Sequence, residues 1–152
     1  MTVPSALGQC NWPDLDGQVI TLLVPLGSVE QHGPHLPLDT DTRIAAAIAE
    51  RVCGRSKASG LLCAPDLNYG ASGEHEGFAG TISIGHEALR GLLVEYGRSA
   101  CRWAARVVFV NGHGGNSVTL VEAVSLLRQE GRDVAWFPCA FPGADAHAGF
   151  TE

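Results

Sequence analysis

The sequence predicts an α/β protein built on a largely parallel sheet with helices on its faces. Three observations carry that expectation. Short apolar runs, among them VITLLVPL (19–26) and RVVFV (106–110), alternate along the chain with stretches of helical periodicity. The runs are continuous, as strands buried on both faces are. Polar loops follow the strands directly, at 27–41, 111–116 and 139–152. In parallel sheets the loops at the carboxyl ends of strands converge on one crevice, so this topology would bring the three loops to the same edge.

Residues 1–17 read as a loose lead-in, broken by Pro4, Pro13 and several glycines. VITLLVPL is the first strand. The loop behind it, GSVEQHGPHLPLDTD (27–41), packs histidines and acids into a stretch punctuated by glycine and proline. In TRIAAAIAERV (42–52), Ile44, Ile48 and Val52 fall at i, i+4 and i+8, the stripe of an amphipathic helix. Asp39, Thr40 and Asp41 are its candidate caps. LLCAP (61–65) is a short second strand. NYGASGEHEGFAG (68–80) is a glycine-rich loop leading into TISI (81–84). A helix is expected from His86 to Trp103, with Leu89, Leu92, Leu93 and Tyr96 on one side, although Gly91 and Gly97 weaken it. RVVFV is a buried strand ended by NGHGGN (111–116), which hands over to a helix through about Gln129. DVAWFP (133–138) is the last strand, and GADAHAGFTE closes the chain.

One domain is expected from 152 residues. That length removes roughly two-thirds of the unfolded surface from water, and 45% apolar content argues against disorder. A net charge of −6, with no Lys/Arg stripe, argues against nucleic acid as a partner. No apolar run approaches the ~20 residues that span a bilayer, so no membrane partner is expected. The opening MTVPSALGQCNWPDLDG lacks the basic start and apolar core of a secretory signal. Cys10, Cys53, Cys63, Cys101 and Cys139 are scattered, odd in number and free of any C-x-x-C pair. They read as reduced thiols of a cytoplasmic protein, not as a disulfide framework.

The candidate chemistry lies in the loops. Glu30 and His32 alternate, so in an extended segment both point the same way. Asp41 lies at the start of a helix, where it reads as a cap, a ligand or both. His113 stands in a tight turn between glycines, which lets the backbone turn sharply and leaves room around the imidazole for a ligand. A histidine there is hard to justify as packing. His147 and Glu152 come from the last loop. Mixed imidazole and carboxylate ligands suit Zn²⁺, Mn²⁺ or Fe²⁺. An Asp between two ions can bridge them, and a water so held ionises near neutral pH and can attack an amide carbon.

Blander readings stand beside these. Glu30 and His32 are also ordinary residues for a polar loop, and Asn111 and Asn116 read as closing the turn. His35, His75 and His86 read as structural or exposed, with His86 in the first turn of its helix. Glu74 and Glu76, either side of His75, are candidates for lining a pocket. No G-x-S-x-G marks a serine nucleophile, and GHGGN is not the G-x-G-x-x-G of a dinucleotide site.

VPLGSVEQHGPHLPLDTDT, FAGTISI, VFVNGHGGN and DAHAGFTE together resemble the creatininase family of metal-dependent amidohydrolases. The pattern is E-x-H, an Asp eleven residues after the Glu, and N-G-H. YGASGEHEGFAGTISIGHEALRGLLVEYGRSA is similar to the branch formed by the creatininase-like peptidases of mycofactocin biosynthesis. The resemblance runs from about residue 20 to 152. It implies a three-layer α/β/α sandwich and a homo-oligomer, often a hexamer. It implies that Glu30, His32, Asp41 and His113 are metal ligands, with Asp41 the bridging or central carboxylate, for one or two Zn²⁺, Fe²⁺ or Mn²⁺ ions per subunit. Its implied reaction is removal of a C-terminal Val-Tyr dipeptide from a modified precursor peptide.

Two departures qualify the likeness. Creatininases proper carry a metal-binding Glu two residues after the N-G-H histidine, where this chain has Gly115, so creatinine is not the expected substrate. Members with NGHGGN resemble a branch that draws its other carboxylate from HAG-x-x-E. That implies Glu152 as a further ligand in the catalytic machinery, and His147 as the group that hands a proton to the leaving amine. Relatives also continue past this motif. The expected organisation is therefore a single creatininase-like domain over 1–152 without the family's usual C-terminal part. Two alternatives remain open at this stage: a family amidohydrolase of a small formamide or cyclic amide, and a catalytically silent metal-binding or oligomer-forming subunit.

Overall fold

In the computed structural model, which describes residues 5–56 and 60–139, the apolar runs form one parallel sheet. The elements are α1 (Trp12–Leu15), β1 (Thr21–Leu26), α2 (Thr40–Arg55), β2 (Leu61–Cys63), α3 (Gly85–Ala100), β3 (Arg106–Asn111), α4 (Ser117–Gln129) and β4 (Val134–Pro138). Short 3-10 turns lie at Leu7–Gln9, Gly73–His75 and Gly114–Asn116. The strand order is β2-β1-β3-β4, with Thr21 opposite both Leu61 and Arg106. Among the described residues no helix is long and apolar enough to cross a membrane. Among the described residues, Cys53, Cys63, Cys101 and Cys139 are free thiols.

β1 lies at the centre of the fold and is buried on both faces. Its alternate side chains feed two cores, because successive residues of a strand point to opposite sides. Leu22, Val24 and Leu26, with Val107 and Phe109 of β3, pack against Leu89 and Leu93 of α3 and Leu120, Val124 and Leu127 of α4. Leu23, with Val110 of β3, packs against Ala45, Ala49 and Cys53 of α2. The expected three-layer α/β/α sandwich is what forms. Burying a large aliphatic or aromatic side chain is worth roughly 1.5–3 kcal/mol. The α3–α4 side holds most of those side chains, so it supplies most of the apolar stabilisation.

The α2 side is built differently, and here the sequence expectation needs correcting. The helix is longer than 42–52, and its inward stripe is Thr42, Ala45, Ala49 and Cys53. Ile44 and Val52 are each 42% exposed. The reason is steric. A Cβ on Gly112 would run into the Asp41 carbonyl oxygen, and one on Gly27 would run into Thr42. The start of α2 presses its backbone onto the ends of β1 and β3, and only small residues fit the seam. The larger isoleucine and valine turn outward.

Other boundaries shift less. α3 ends at Ala100 instead of Trp103, with Leu92 on its half-exposed side. TISI contributes only an isolated antiparallel bridge, Val29 to Ile82. That bridge matters for the site, because it draws the glycine-rich 68–80 loop alongside Glu30.

Candidate metal centre

The chain leaves β1 toward α2 on one face of the sheet and leaves β3 toward α4 on the other. Adjacent parallel strands whose connections diverge in this way open a crevice at their carboxyl ends. The segment after β1 brings Glu30, His32 and Asp41 to that crevice, and the turn after β3 brings His113. Four residues 83 positions apart at the extremes thus meet across one strand pair. Glu30, Asp41 and His113 are 4%, 6% and 5% exposed, and His32 is partly buried.

The centre of the cluster is Asp41. Its Oδ1 lies 2.8 Å from His32 Nε2, and its Oδ2 lies 3.1 Å from His113 Nδ1 and accepts from Ser28 Oγ at 2.6 Å. Glu30 Oε1 is 3.2 Å from His113 Nδ1. Asp41 sits in the first turn of α2, where the helix dipole favours a carboxylate. It is not the cap: Asp39 holds that position, with its side chain bound to Arg43.

Two asparagines hold the frame. Asn111 Nδ2 donates to the His113 carbonyl at 2.7 Å, and the His113 N–H donates back to Asn111 Oδ1 at 3.3 Å. Asn116 Nδ2 donates to the Gly27 carbonyl at 3.0 Å, while its Oδ1 accepts from the Ala71 N–H at 2.9 Å. These residues close the turn, as expected. Asn116 also ties three loops together.

The cluster tunes its own charges. Burial pushes the Asp41 carboxyl up, but hydrogen bonds from His113, Ser28 and His32 outweigh it and hold the group below the usual carboxylate range. Burial pushes the His113 imidazole down, but its bond to Asp41, the Ala71 carbonyl and the charges of Glu30 and Asp41 together raise it above the usual histidine range.

Glu30 Oε2 is buried without a hydrogen-bond partner. An unsatisfied buried carboxylate oxygen is costly, and a divalent cation beside it removes that cost. The donor set of carboxylates and imidazoles fits Zn²⁺, Mn²⁺ or Fe²⁺. Two overlapping groups have ligand atoms mutually within 4.8 Å: Glu30, His32 and Asp41, and Glu30, Glu74 and His113.

The four residues singled out in the first three motifs therefore come together. His147 and Glu152 lie outside the described residues. His35 is exposed, and His86 bonds Thr119 Oγ1 at 2.8 Å, linking α3 to α4. His75, read from sequence as structural or exposed, instead faces the cluster. Its Nε2 is 3.6 Å from Glu30 Oε1, and its Nδ1 is 3.0 Å from Gln31 Nε2. The Gln31 amide donates there, so neutral His75 carries its proton on Nε2. Glu74 approaches His113 Nε2 to 3.6 Å. The only sequence signal for this pair was an acid and a histidine side by side in a glycine-rich loop.

Comparison with known proteins supplies the context. The creatininase family model, described as creatinine amidohydrolase, matches residues 8–152. A mycofactocin precursor peptide peptidase of Mycolicibacterium smegmatis is 61% identical over 152 residues, covering 98% of this chain and 62% of that relative. The chain thus spans about six-tenths of the length of that curated relative. A solved creatininase mutant of Zn-Zn type is 30% identical with a TM-score of 0.77, covering 88% of this chain and 57% of that one. The structure named Creatininase Mn is 29% identical with a TM-score of 0.70, covering 88% and 58%.

Proposed function

This chain belongs to the creatininase family, and from that premise we propose that it is a metal-dependent amide hydrolase, a peptidase that removes a C-terminal Val-Tyr dipeptide from the modified mycofactocin precursor peptide. The observation that carries the reading is the meeting of Glu30, His32, Asp41 and His113 around an unpartnered, buried Glu30 oxygen. The high identity to a peptidase of that name supports the substrate. Gly115, where creatininases proper carry a ligating Glu, speaks against creatinine.

Glu30, His32, Asp41 and His113 are the proposed ligands. A bound Zn²⁺, Fe²⁺ or Mn²⁺ would polarise the scissile carbonyl and lower the pKa of a water. The chain's own part is orientation. The His32 Nδ1–H donates to the Glu30 carbonyl at 3.2 Å, which leaves Nε2 for a cation. The His113 Nε2–H donates to the Ala71 carbonyl at 2.9 Å, which leaves Nδ1 facing Glu30 and Asp41. Ser28 fixes the rotamer of Asp41. By the family pattern His147 is proposed to pass a proton to the leaving amine and Glu152 to add a carboxylate ligand. Residues 1–152 are read as one creatininase-like domain acting in the cytoplasm as a homo-oligomer. The half-exposed Ile44 and Val52 on α2 are compatible with a partner subunit.

The test is His113→Ala. It should lose bound metal and dipeptide release together, measured by elemental analysis and mass spectrometry of the cleaved peptide. Full cleavage by this variant sinks the assignment. Metal retained by the wild-type chain without turnover, on the peptide or on a small formamide or cyclic amide, would favour a silent metal-binding subunit.

A further inference from the structure

The described loops at the crevice, 27–41, 68–80 and 111–116, contain no lysine or arginine. A site that hydrolyses an amide gathers negative charge on the carbonyl oxygen, and a fixed hydrogen-bond donor aimed at that oxygen lowers the barrier. With no cationic side chain in these loops, such a donor has to be an imidazole, a hydroxyl or an amide. Several are already committed. The Ser28 hydroxyl is given to Asp41, the His32 Nδ1–H to the Glu30 carbonyl and the His113 Nε2–H to the Ala71 carbonyl.

His75 is the exception. Gln31 Nε2 lies 3.0 Å from its Nδ1, and its ring stands against Phe78 with centroids 6.3 Å apart. A second bond settles which way the Gln31 amide is turned. The Gly33 N–H donates to Gln31 Oε1 at 2.9 Å, and a backbone N–H meets only the amide oxygen. The amide nitrogen therefore faces His75 and donates, Nδ1 accepts, and the ring proton sits on Nε2. That N–H is turned toward Glu30 Oε1 but stops 3.6 Å from it, beyond hydrogen-bond length. Among the described residues no other group accepts it, and the side chain is 28% exposed. The backbone is pinned too: the His75 N–H donates to the Ser72 carbonyl, and the His75 carbonyl accepts from the Phe78 N–H, both at 3.0 Å. The result is an unspent donor, held in place, at the open side of the cluster.

We propose that His75 is a catalytic residue whose Nε2–H donates to the carbonyl oxygen of the scissile amide. The inference rests on the amide-hydrolase reading above and adds a residue to its chemistry. The oxygen of water bonds to the carbonyl carbon, and the π pair moves onto the carbonyl oxygen, where the His75 N–H meets the growing charge. The pair returns as the C–N bond breaks. Both protons of the water pass to the nitrogen, so the products are a carboxylate and an ammonium. Glu74 and Glu76, on either side of His75 in the chain, disfavour a ligand that arrives as a carboxylate, whereas an amide oxygen arrives neutral.

Two measurements on the full chain test this. Long-range ¹H–¹⁵N correlation of the imidazoles should show the His75 proton on Nε2; a proton on Nδ1 overturns the proposal. Turnover of the precursor peptide by the Co²⁺-loaded chain is the second. His75→Phe keeps the ring shape without the N–H, and its kcat should fall by about 10²–10³-fold, with KM unchanged because the bond forms only as charge develops. Co²⁺ affinity by equilibrium dialysis, and the visible absorption of the ion, should stay as in the wild type. His75→Gln, whose amide keeps an N–H at similar reach, should recover at least about tenfold of that loss. A His75→Phe variant with wild-type kcat overturns the proposal, as does one that changes KM alone. Loss of Co²⁺ in step with turnover also overturns it, since the ring would then act by holding Glu30. A wild type that binds Co²⁺ but cleaves no amide sinks the amide-hydrolase reading, and this inference with it.

Discussion

The floor of the site and its outer rim are built by different rules. The floor is the seam between α2 and the ends of β1 and β3, where Ser28, Glu30, Asp41, Asn111, His113 and Asn116 are buried and bonded to one another. The rim is the 68–80 loop, where Glu74, Glu76 and Phe78 face solvent. Backbone bonds from Ile82 to Val29 and from Ile84 to Gly70 tie that loop down. On the floor nearly every polar atom needs a protein partner, because water cannot reach it. On the rim, water satisfies whatever the protein does not. A substitution on the floor is therefore felt by the whole seam, whereas one on the rim is felt locally.

The largest break in that comparison comes from the tightest point of the floor. Gly112→Ala places a methyl against the carbonyl oxygen of Asp41, which is backbone and cannot rotate away. We expect a loss of about 3 kcal/mol, the upper part of the usual overpacking range, read as a lowered urea midpoint with an unchanged slope. A wild-type midpoint would mean that α2 is free to lift off the strand ends, and that the floor is not rigid.

Asn116→Ala comes next. It strands the Ala71 N–H and the Gly27 carbonyl, both inside the seam. Leaving a buried group unsatisfied costs about 1–3 kcal/mol, so a loss of about 2 kcal/mol is expected in thermal unfolding, with weaker metal binding as the Ala71 and Gly27 segments part. Unchanged stability would show that water fills the gap, making this corner of the floor as wet as the rim.

The same contrast explains what could be read from the chain. The buried run of β1 was legible because all of Leu22 to Leu26 is inside, and continuous apolarity is the mark of such a strand. The metal-type residues of the floor were legible because E-x-H and N-G-H directly follow buried strands. The inward face of α2 was misread. Hydrophobic periodicity weighs apolar bulk, and of the stripe it favoured only Ile48 packs against the core, while Ile44 and Val52 face out because the seam selects for smallness. Asp41 stayed ambiguous because a carboxylate in the first turn of a helix is favoured by the dipole whether or not it binds anything. Glu74 reads from sequence only as a candidate for lining a pocket, and His75 as structural or exposed; sequence alone places neither at the cluster. They reach the cluster through one β-bridge, between Val29 and Ile82, and scattered loop bonds such as Ala71 N–H to Asn116 Oδ1, which leave no periodic trace.

The smallest expected effect sharpens the comparison by reversing its sign. Gly77 lies in the same glycine-rich loop as Glu74, its φ is not in the left-handed region, and a Cβ built on it meets nothing within 4 Å. Alanine there removes conformational freedom from the unfolded chain without strain in the folded one, which is worth about 0.4–1 kcal/mol of added stability. The change is glycine to alanine, as at Gly112, and only the surroundings differ. Differential scanning calorimetry should show a small rise in Tm for Gly77→Ala, with Co²⁺ binding unchanged. A fall in Tm would mean that the rim is packed as tightly as the floor.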